Sequence, residues 1–194
     1  MGKRIAIIQG HPSPQPTHLG HALADAYSEG ALAAGREVRR IEVGQLDFPL
    51  LRTAEDWNTG TVPEGLRDAQ ATIAWADHLV LVFPLWTGTM PALFKGFLEQ
   101  IARPGFAFRE LPDGRGLAPA LTGRSARVVV TMGMPALFFR WYYHAHGVLG
   151  LKRSILGFCG IKPVRMTYIG MVDVKPFKAD KWFAAMRELG RKGV

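Results

Sequence analysis

What this chain lacks narrows its possibilities first. It has one cysteine, Cys159, so it can form neither an intrachain disulfide nor a thiolate metal cluster. Its longest apolar run, Leu79–Trp86, is too short to cross a bilayer as a helix. No arginine-rich run and no recognition-helix pattern occurs, which argues against nucleic acid as a partner. Neither a Gly-Lys-Ser/Thr phosphate loop nor a Ser–His–acid motif is present. Repeats and low-complexity tracts are missing too. Met1-Gly2-Lys3-Arg4 leads straight into a strand pattern, with no apolar leader. Together with the single thiol, this sets the expectation of a cytoplasmic location.

What is there describes a globular enzyme-sized unit. The chain has 194 residues, 48% of them hydrophobic, enough for one domain over 1–194 with a real core. Its net charge of +8 is lopsided: residues 1–97 carry 8 basic and 10 acidic side chains, and residues 98–194 carry 16 and 6. Such a basic half suits nucleic acid, an anionic cofactor or a solvated surface. The scattered placement of the cations favours a phosphate-bearing small ligand over nucleic acid.

Apolar patterning alternates between strand and helix. Strands are expected at Arg4–Gln9, Glu37–Val43, His78–Phe83, Ala126–Thr131 and Lys162–Ile169. Helices are expected at Thr17–Ala34, Leu66–Ala76, Pro91–Ala102 and Ala179–Arg191, with one or two more between Phe138 and Gly157. Gly44–Glu64 reads as a long connection, and Pro104–Arg124 as a loop with a short hairpin at Phe106–Arg109. Five strands alternating with helices predict an α/β fold: a doubly wound parallel sheet, flavodoxin-like, with strand order 2-1-3-4-5 and helices on both faces. That order places a ligand at the carboxyl ends of the first and third strands.

Three unusual loops fall at that edge. In "GHPSPQPTH" (10–18) the helix start offers free amides and a favourable dipole for an anion, Ser13 and Thr17 offer hydroxyls, and His11 and His18 offer further donors. The prolines stiffen the loop. Thr17 also fits the simpler role of helix N-cap. In Phe83-Pro-Leu-Trp-Thr-Gly-Thr-Met-Pro91, Trp86 suits stacking on a planar ring or plain packing at a strand end. In Thr131-Met-Gly-Met-Pro135, Gly133 permits close backbone approach. The segment "FFRWYYHAH" (138–146) suits a pocket wall, helix packing or a dimer seam. His144 and His146 lie two apart without nearby carboxylates, and the same objection meets His18 and His21, so no metal site is expected. Cys159 sits among apolar residues and reads as packed, not nucleophilic.

The residues Phe83-Pro-Leu, Met90-Pro-Ala-Leu-Phe-Lys-Gly-Phe97, Gly105-Phe-Ala-Phe108, "GHPSPQPTH", "VVTMG" and "GFCGIKPV" resemble the flavodoxin-fold NAD(P)H:quinone oxidoreductases. That family includes DT-diaphorase, the modulator-of-drug-activity quinone reductases and the ancillary reductases of potassium-efflux systems. The resemblance implies a flavin. His11, Thr17, His18 and Leu19 would surround its phosphate and ribityl chain. Pro84, Leu85, Trp86, Thr87 and Gly88 would line the isoalloxazine, and Thr131, Met132 and Gly133 would face its pyrimidine edge. Phe139 stands at the family's Tyr position in an ungapped match. Tyr143, with Tyr142 the alternative, is the expected substitute, and His146, with His144 the alternative, the expected histidine. Departures are visible: Trp86 falls where the family often has Gln, Thr87 and Gly88 replace two aromatics, and the third loop lacks paired glycines. The length favours FMN, with FAD second. The resemblance further implies NAD(P)H, a quinone or similar acceptor, and a homodimer with its seam at Gly44–Glu64, around Trp57, and the aromatic segment. A flavodoxin-type electron carrier and a non-catalytic ancillary subunit are the competing readings.

Overall fold

In the structure, a computed structural model that describes residues 2–194, the chain opens with strand β1 (Arg4–Gln9), helix α1 (Leu19–Ala33) and strand β2 (Glu37–Glu42). Helices α2 (Ala54–Thr59) and α3 (Arg67–Trp75), strand β3 (His78–Pro84) and helix α4 (Ala92–Ile101) follow. A hairpin of β4 (Phe108–Glu110) and β5 (Leu117–Pro119) precedes β6 (Ser125–Thr131). The chain ends with α5 (Ala136–Trp141), α6 (His146–Gly150), a π-helical turn over Leu151–Leu156, β7 (Val164–Ile169) and α7 (Ala179–Lys192).

The main sheet is parallel, in the order β2-β1-β3-β6-β7. Counting only its own strands, this is the expected 2-1-3-4-5, and the order reverses between β1 and β3. Both faces are covered, so β1, β3 and β6 are nearly continuous apolar runs rather than alternating ones. Successive side chains still point to opposite faces. Ile5 and Ile7 pack with Leu23, Tyr27 and Met186 of α1 and α7. Ala6 and Ile8 join Leu81, Phe94 and Phe97 on the other face.

Besides shifts of one or two residues at several element ends, the observed elements depart from the expected ones in the first loop, the hairpin and the long connection. Helix α1 starts at Leu19, not Thr17; Pro12, Pro14 and Pro16 each push the preceding residue towards extended backbone, so the chain turns over residues 16–18 before the helix begins. The N-cap is His18, without a side-chain cap bond, so Thr17 is not the cap. The hairpin expected at Phe106–Arg109 instead pairs Phe108–Glu110 with Leu117–Pro119. The Gly44–Glu64 connection carries α2, N-capped by Thr53, which accepts from the Asp56 amide. Trp57 on that helix packs on Phe108, ring centres 5.4 Å apart. No helix of the described residues is long and apolar enough to cross a membrane.

Candidate functional site

Register brings the three loops to one rim. Gln9 pairs with Val82, Pro84 with Thr131, and Thr131 with Ile169, so the turns after β1, β3 and β6 leave the sheet side by side. The Gly10 amide donates to the Val82 carbonyl at 2.8 Å, which anchors the first loop against β3. A β-carbon at Gly10 would lie 2.7 Å from the Phe94 ring; only glycine fits that approach.

Beyond Gly10 the loop is stapled by its own side chains. The His11 amide donates to Gln9 Oε1 (3.2 Å) and the Ser13 amide to His11 Nδ1 (3.0 Å). Because Nδ1 is the acceptor, the proton of neutral His11 sits on Nε2. The Gln15 amide donates to Ser13 Oγ (3.3 Å). The His11 and His18 rings stack, centres 4.0 Å apart and planes 19° from parallel. Burial, and then the neighbouring His18, hold His11 below the ordinary histidine range. Buried His21 lies under the pair; its Nε2 is 3.2 Å from the Ser13 carbonyl and its Nδ1 3.5 Å from Glu42.

This loop fits an anion on the structure's own terms. Gln9 is 1% exposed, and its Nε2 finds no partner although its Oε1 is taken. A buried amide donor left open carries a real cost. Gly20, in the first turn of α1, lies above that group. The leading amides of α1, at Leu19 and Gly20, likewise find no acceptor among the described residues. Free N–H groups, a helix N-terminus and two imidazoles thus lie together at the start of α1, the donor set a phosphate needs.

The second loop is a self-contained turn. Trp86 and Thr89 exchange backbone hydrogen bonds at 2.9 and 3.0 Å. Thr87 and Gly88 between them both have positive φ, 48° and 79°, the signature of a primed turn. The Trp86 ring is half exposed and stands edge-on to His11, centres 6.1 Å apart. A flat apolar surface therefore adjoins the anion-fitting loop. The third loop keeps the Gly133 backbone exposed, but the Asp173 carboxylate lies close: a β-carbon at Gly133 would be 2.5 Å from its Oδ2.

The structure brings His11, His18 and Trp86 together. Thr17, Thr87, Gly88 and Gly133 are exposed on the same rim. Leu19, Leu85 and Met132 turn their side chains into the core, and the Leu85 and Met132 amides donate to the Thr131 and Ile169 carbonyls; Pro84 and Thr131 end their strands at the rim. His146 opens α6, whose next residue, Gly147, packs on the Gly88 carbonyl. Tyr143 is exposed, and its ring neighbours are Phe138, Phe139 and Tyr142 rather than the three loops. His144 and Ala145 adopt left-handed backbone between the two helices, so this stretch is a break and not one continuous helix.

Sequence reasoning missed Gln9, Asp173 and a cavity of about 640 Å³ beside Trp86, walled by Trp86, Met90, Lys95, Gly147, Ser154 and Ile155. Gln9 left a trace: a polar residue closing an apolar strand. Asp173 left none, since it is 40 positions from Gly133 in the chain. Cys159 is buried, and burial pushes its thiol up to about 11, in keeping with a packing role.

Sheet order and rim together define a flavodoxin-type α/β protein, and the family comparison agrees. The chain belongs to the flavodoxin-like fold family (Flavodoxin_2), whose model matches residues 3–191. Among curated relatives it is 30% identical to human ribosyldihydronicotinamide dehydrogenase (quinone) over 187 residues, 83% of this chain and 78% of that one. It is 28% identical over 179 residues to the ribosyldihydronicotinamide dehydrogenase-like protein traD of Penicillium crustosum, covering 79% of this chain but only 64% of that longer one. A match to an FMN-dependent NADH:quinone oxidoreductase of Clostridium beijerinckii is 31% identical over 109 residues, 56% of this chain and 52% of that one.

Proposed function

We propose that this protein is a flavin-dependent NAD(P)H:acceptor oxidoreductase, with FMN the preferred cofactor ahead of FAD and a quinone or similar flat electrophile as acceptor. The observation that carries this reading is the rim itself: a donor-rich loop built for an anion stands 6.1 Å from an open indole. A cofactor with a phosphate tail and a flat ring needs those two surfaces side by side. The relatives' names support the same activity and, in one case, the same cofactor.

When bound, FMN supplies the capacity to accept hydride from NAD(P)H and pass it to a quinone. The chain's part is to bind, orient and tune. His11, Thr17, His18 and the Leu19 backbone hold the phosphate end. Pro84, Leu85, Trp86, Thr87 and Gly88 set the plane of the ring. In the third loop the Met132 amide already donates to the Ile169 carbonyl and the Thr131 carbonyl accepts from Leu85, so it is the Gly133 backbone that would meet the ring's polar edge, where a donor stabilises negative charge on reduction. His146 would add to that stabilisation; Tyr143, whose ring neighbours are Phe138, Phe139 and Tyr142, is assigned the same role by the family resemblance alone. The cavity beyond Trp86 gives an acceptor an apolar seat. In this reading the chain acts in the cytoplasm as one domain over 1–194, and as a homodimer. The exposed Leu137, Trp141 and Tyr142 of the α5 region supply apolar surface for a second copy.

The test is spectroscopic. Purified protein should carry or take up FMN, show the flavin bands, bleach with NADPH and recover with a quinone; mass analysis of the released chromophore separates FMN from FAD. Colour without bleaching by NADPH or NADH would favour an electron carrier. A protein that takes up neither flavin would overturn the proposal in favour of an ancillary subunit.

A further inference from the structure

We propose that the stacked His11–His18 pair is a proton-linked clamp for the cofactor's phosphate: the pair takes up a proton when FMN binds, so FMN affinity falls as pH rises through neutrality. This rests on the flavin reading above. It deepens that reading by making the first loop a selector for the phosphorylated, dianionic form.

The argument starts from the 4.0 Å, near-parallel stack. Two imidazolium charges at that spacing repel in a partly desolvated site, which disfavours charging both rings at once. The Ser13 amide donates to His11 Nδ1 and so occupies that ring's acceptor nitrogen. A phosphate reverses the balance. Above about pH 6.5 a phosphate monoester is close to dianionic, and an opposite charge within reach of an imidazole favours its protonated form. The rest of the loop cannot supply that charge: its other donors are the neutral Gln9 amide, with its unpartnered Nε2, the Ser13 and Thr17 hydroxyls and the backbone N–H groups.

The charged and titratable groups facing the pair from neighbouring elements do not replace it. His21, on α1, contacts the Ser13 carbonyl and Glu42, and Glu42 in turn pairs with Arg40. Arg40 is also bound to Asp25. That cation is thus engaged by two carboxylates at the end of β2, and the neighbouring loop, at Trp86, carries no charge. The net positive charge for the phosphate has to come from the histidines.

The sign follows from linkage. Binding raises the pair's proton affinity; the extra affinity for FMN is complete below the free pair's pKa and is lost as pH rises through that of the complex. One linked proton gives at most about a tenfold rise in Kd per pH unit.

The experiment titrates apo-protein with FMN and, separately, with riboflavin, from pH 6.5 to 8.5, following quenching of flavin fluorescence. Calorimetry in buffers of different ionisation enthalpy counts the protons. The expected result is a Kd for FMN that rises about tenfold or more across the range, with net proton uptake, and a Kd for riboflavin that stays flat. The variant His11→Gln/His18→Gln should bind FMN with the shallow slope of riboflavin. FMN binding with a flat Kd and no proton uptake overturns the clamp while leaving the flavin reading intact. An equal slope for riboflavin also overturns it, because the proton would then belong to the ring site. If neither flavin binds at any pH, the flavin reading falls and the clamp falls with it.

Discussion

Gly10→Ala is the substitution through which the rim's packing is most directly tested. The added methyl would meet three atoms of the Phe94 ring at 2.7, 2.7 and 2.9 Å, where carbon–carbon contacts normally settle near 3.5–4.0 Å. Relief needs a shift of roughly 1 Å. The ring has little room for it, since Phe94 is fully buried, with the Phe83 ring 5.3 Å away and the Phe97 ring 6.2 Å away. Overpacking of this kind costs about 1–3 kcal/mol. For a chain of this length each kcal/mol lowers Tm by about 2–4 °C, so a drop of about 2–12 °C is expected. Thermal and urea unfolding of four proteins decide the matter: wild type, Gly10→Ala, Phe94→Leu and the double variant. Phe94→Leu alone leaves a cavity and costs on the order of 1–2 kcal/mol. In the double variant the smaller side chain makes room for the methyl, so the two costs should fall short of additive by about 1 kcal/mol or more. A Gly10→Ala protein as stable as wild type, or strictly additive costs, would refute the claim that Phe94 enforces glycine at this position.

Three further outcomes are expected. Thr87→Gly should raise stability by about 0.5–1 kcal/mol, read as a higher urea midpoint, because left-handed backbone costs a β-branched residue about 1–2 kcal/mol and glycine's own entropy cost is smaller; an unchanged or lower midpoint argues that Thr87 is not strained. Burial pushes His78 down to about 3, so it remains neutral when folded while the unfolded chain protonates near pH 6.5. Stability should therefore fall by about 1.4 kcal/mol per pH unit below pH 6.5, as read from urea midpoints at pH 7 and 5.5, and the slope should be shallower in His78→Gln; parallel slopes would remove His78 as the cause. The Cys159 thiol, raised to about 11, should resist a thiol reagent at pH 8 in the native protein and react at once in denaturant, and the fold should lose stability as pH climbs from about 9 to 11 while the unfolded thiol ionises first; rapid native labelling would contradict its burial.

The sheet was legible because its physics is local. His78–Phe83 and Ala126–Thr131 are apolar on both faces, which only a covered parallel strand requires, and the intervening helices repeat on the expected spacing. From those elements alone the strand order, and with it the rim, could be reasoned. The boundaries blurred where local rules compete: the alternating prolines delay α1 to Leu19, and nothing near Phe108 announces that its partner is Leu117–Pro119. Within the site, His11 and Trp86 were legible as unusual residues at strand ends. The ring stack, the open Gln9 amide and the approach of Asp173 to Gly133 were not, because each depends on how loops from distant parts of the chain settle against one another. The resemblance to quinone reductases, not periodicity, supplied the flavin.

The turn from Trp86 to Thr89 satisfies its own backbone hydrogen bonds. It hangs from β3 as a closed bracket, so swapping its side chains leaves the register of the sheet alone. Variation there is consequently cheap for folding and expensive only for chemistry. A library randomised at Trp86 and Thr89 should therefore yield mostly folded clones.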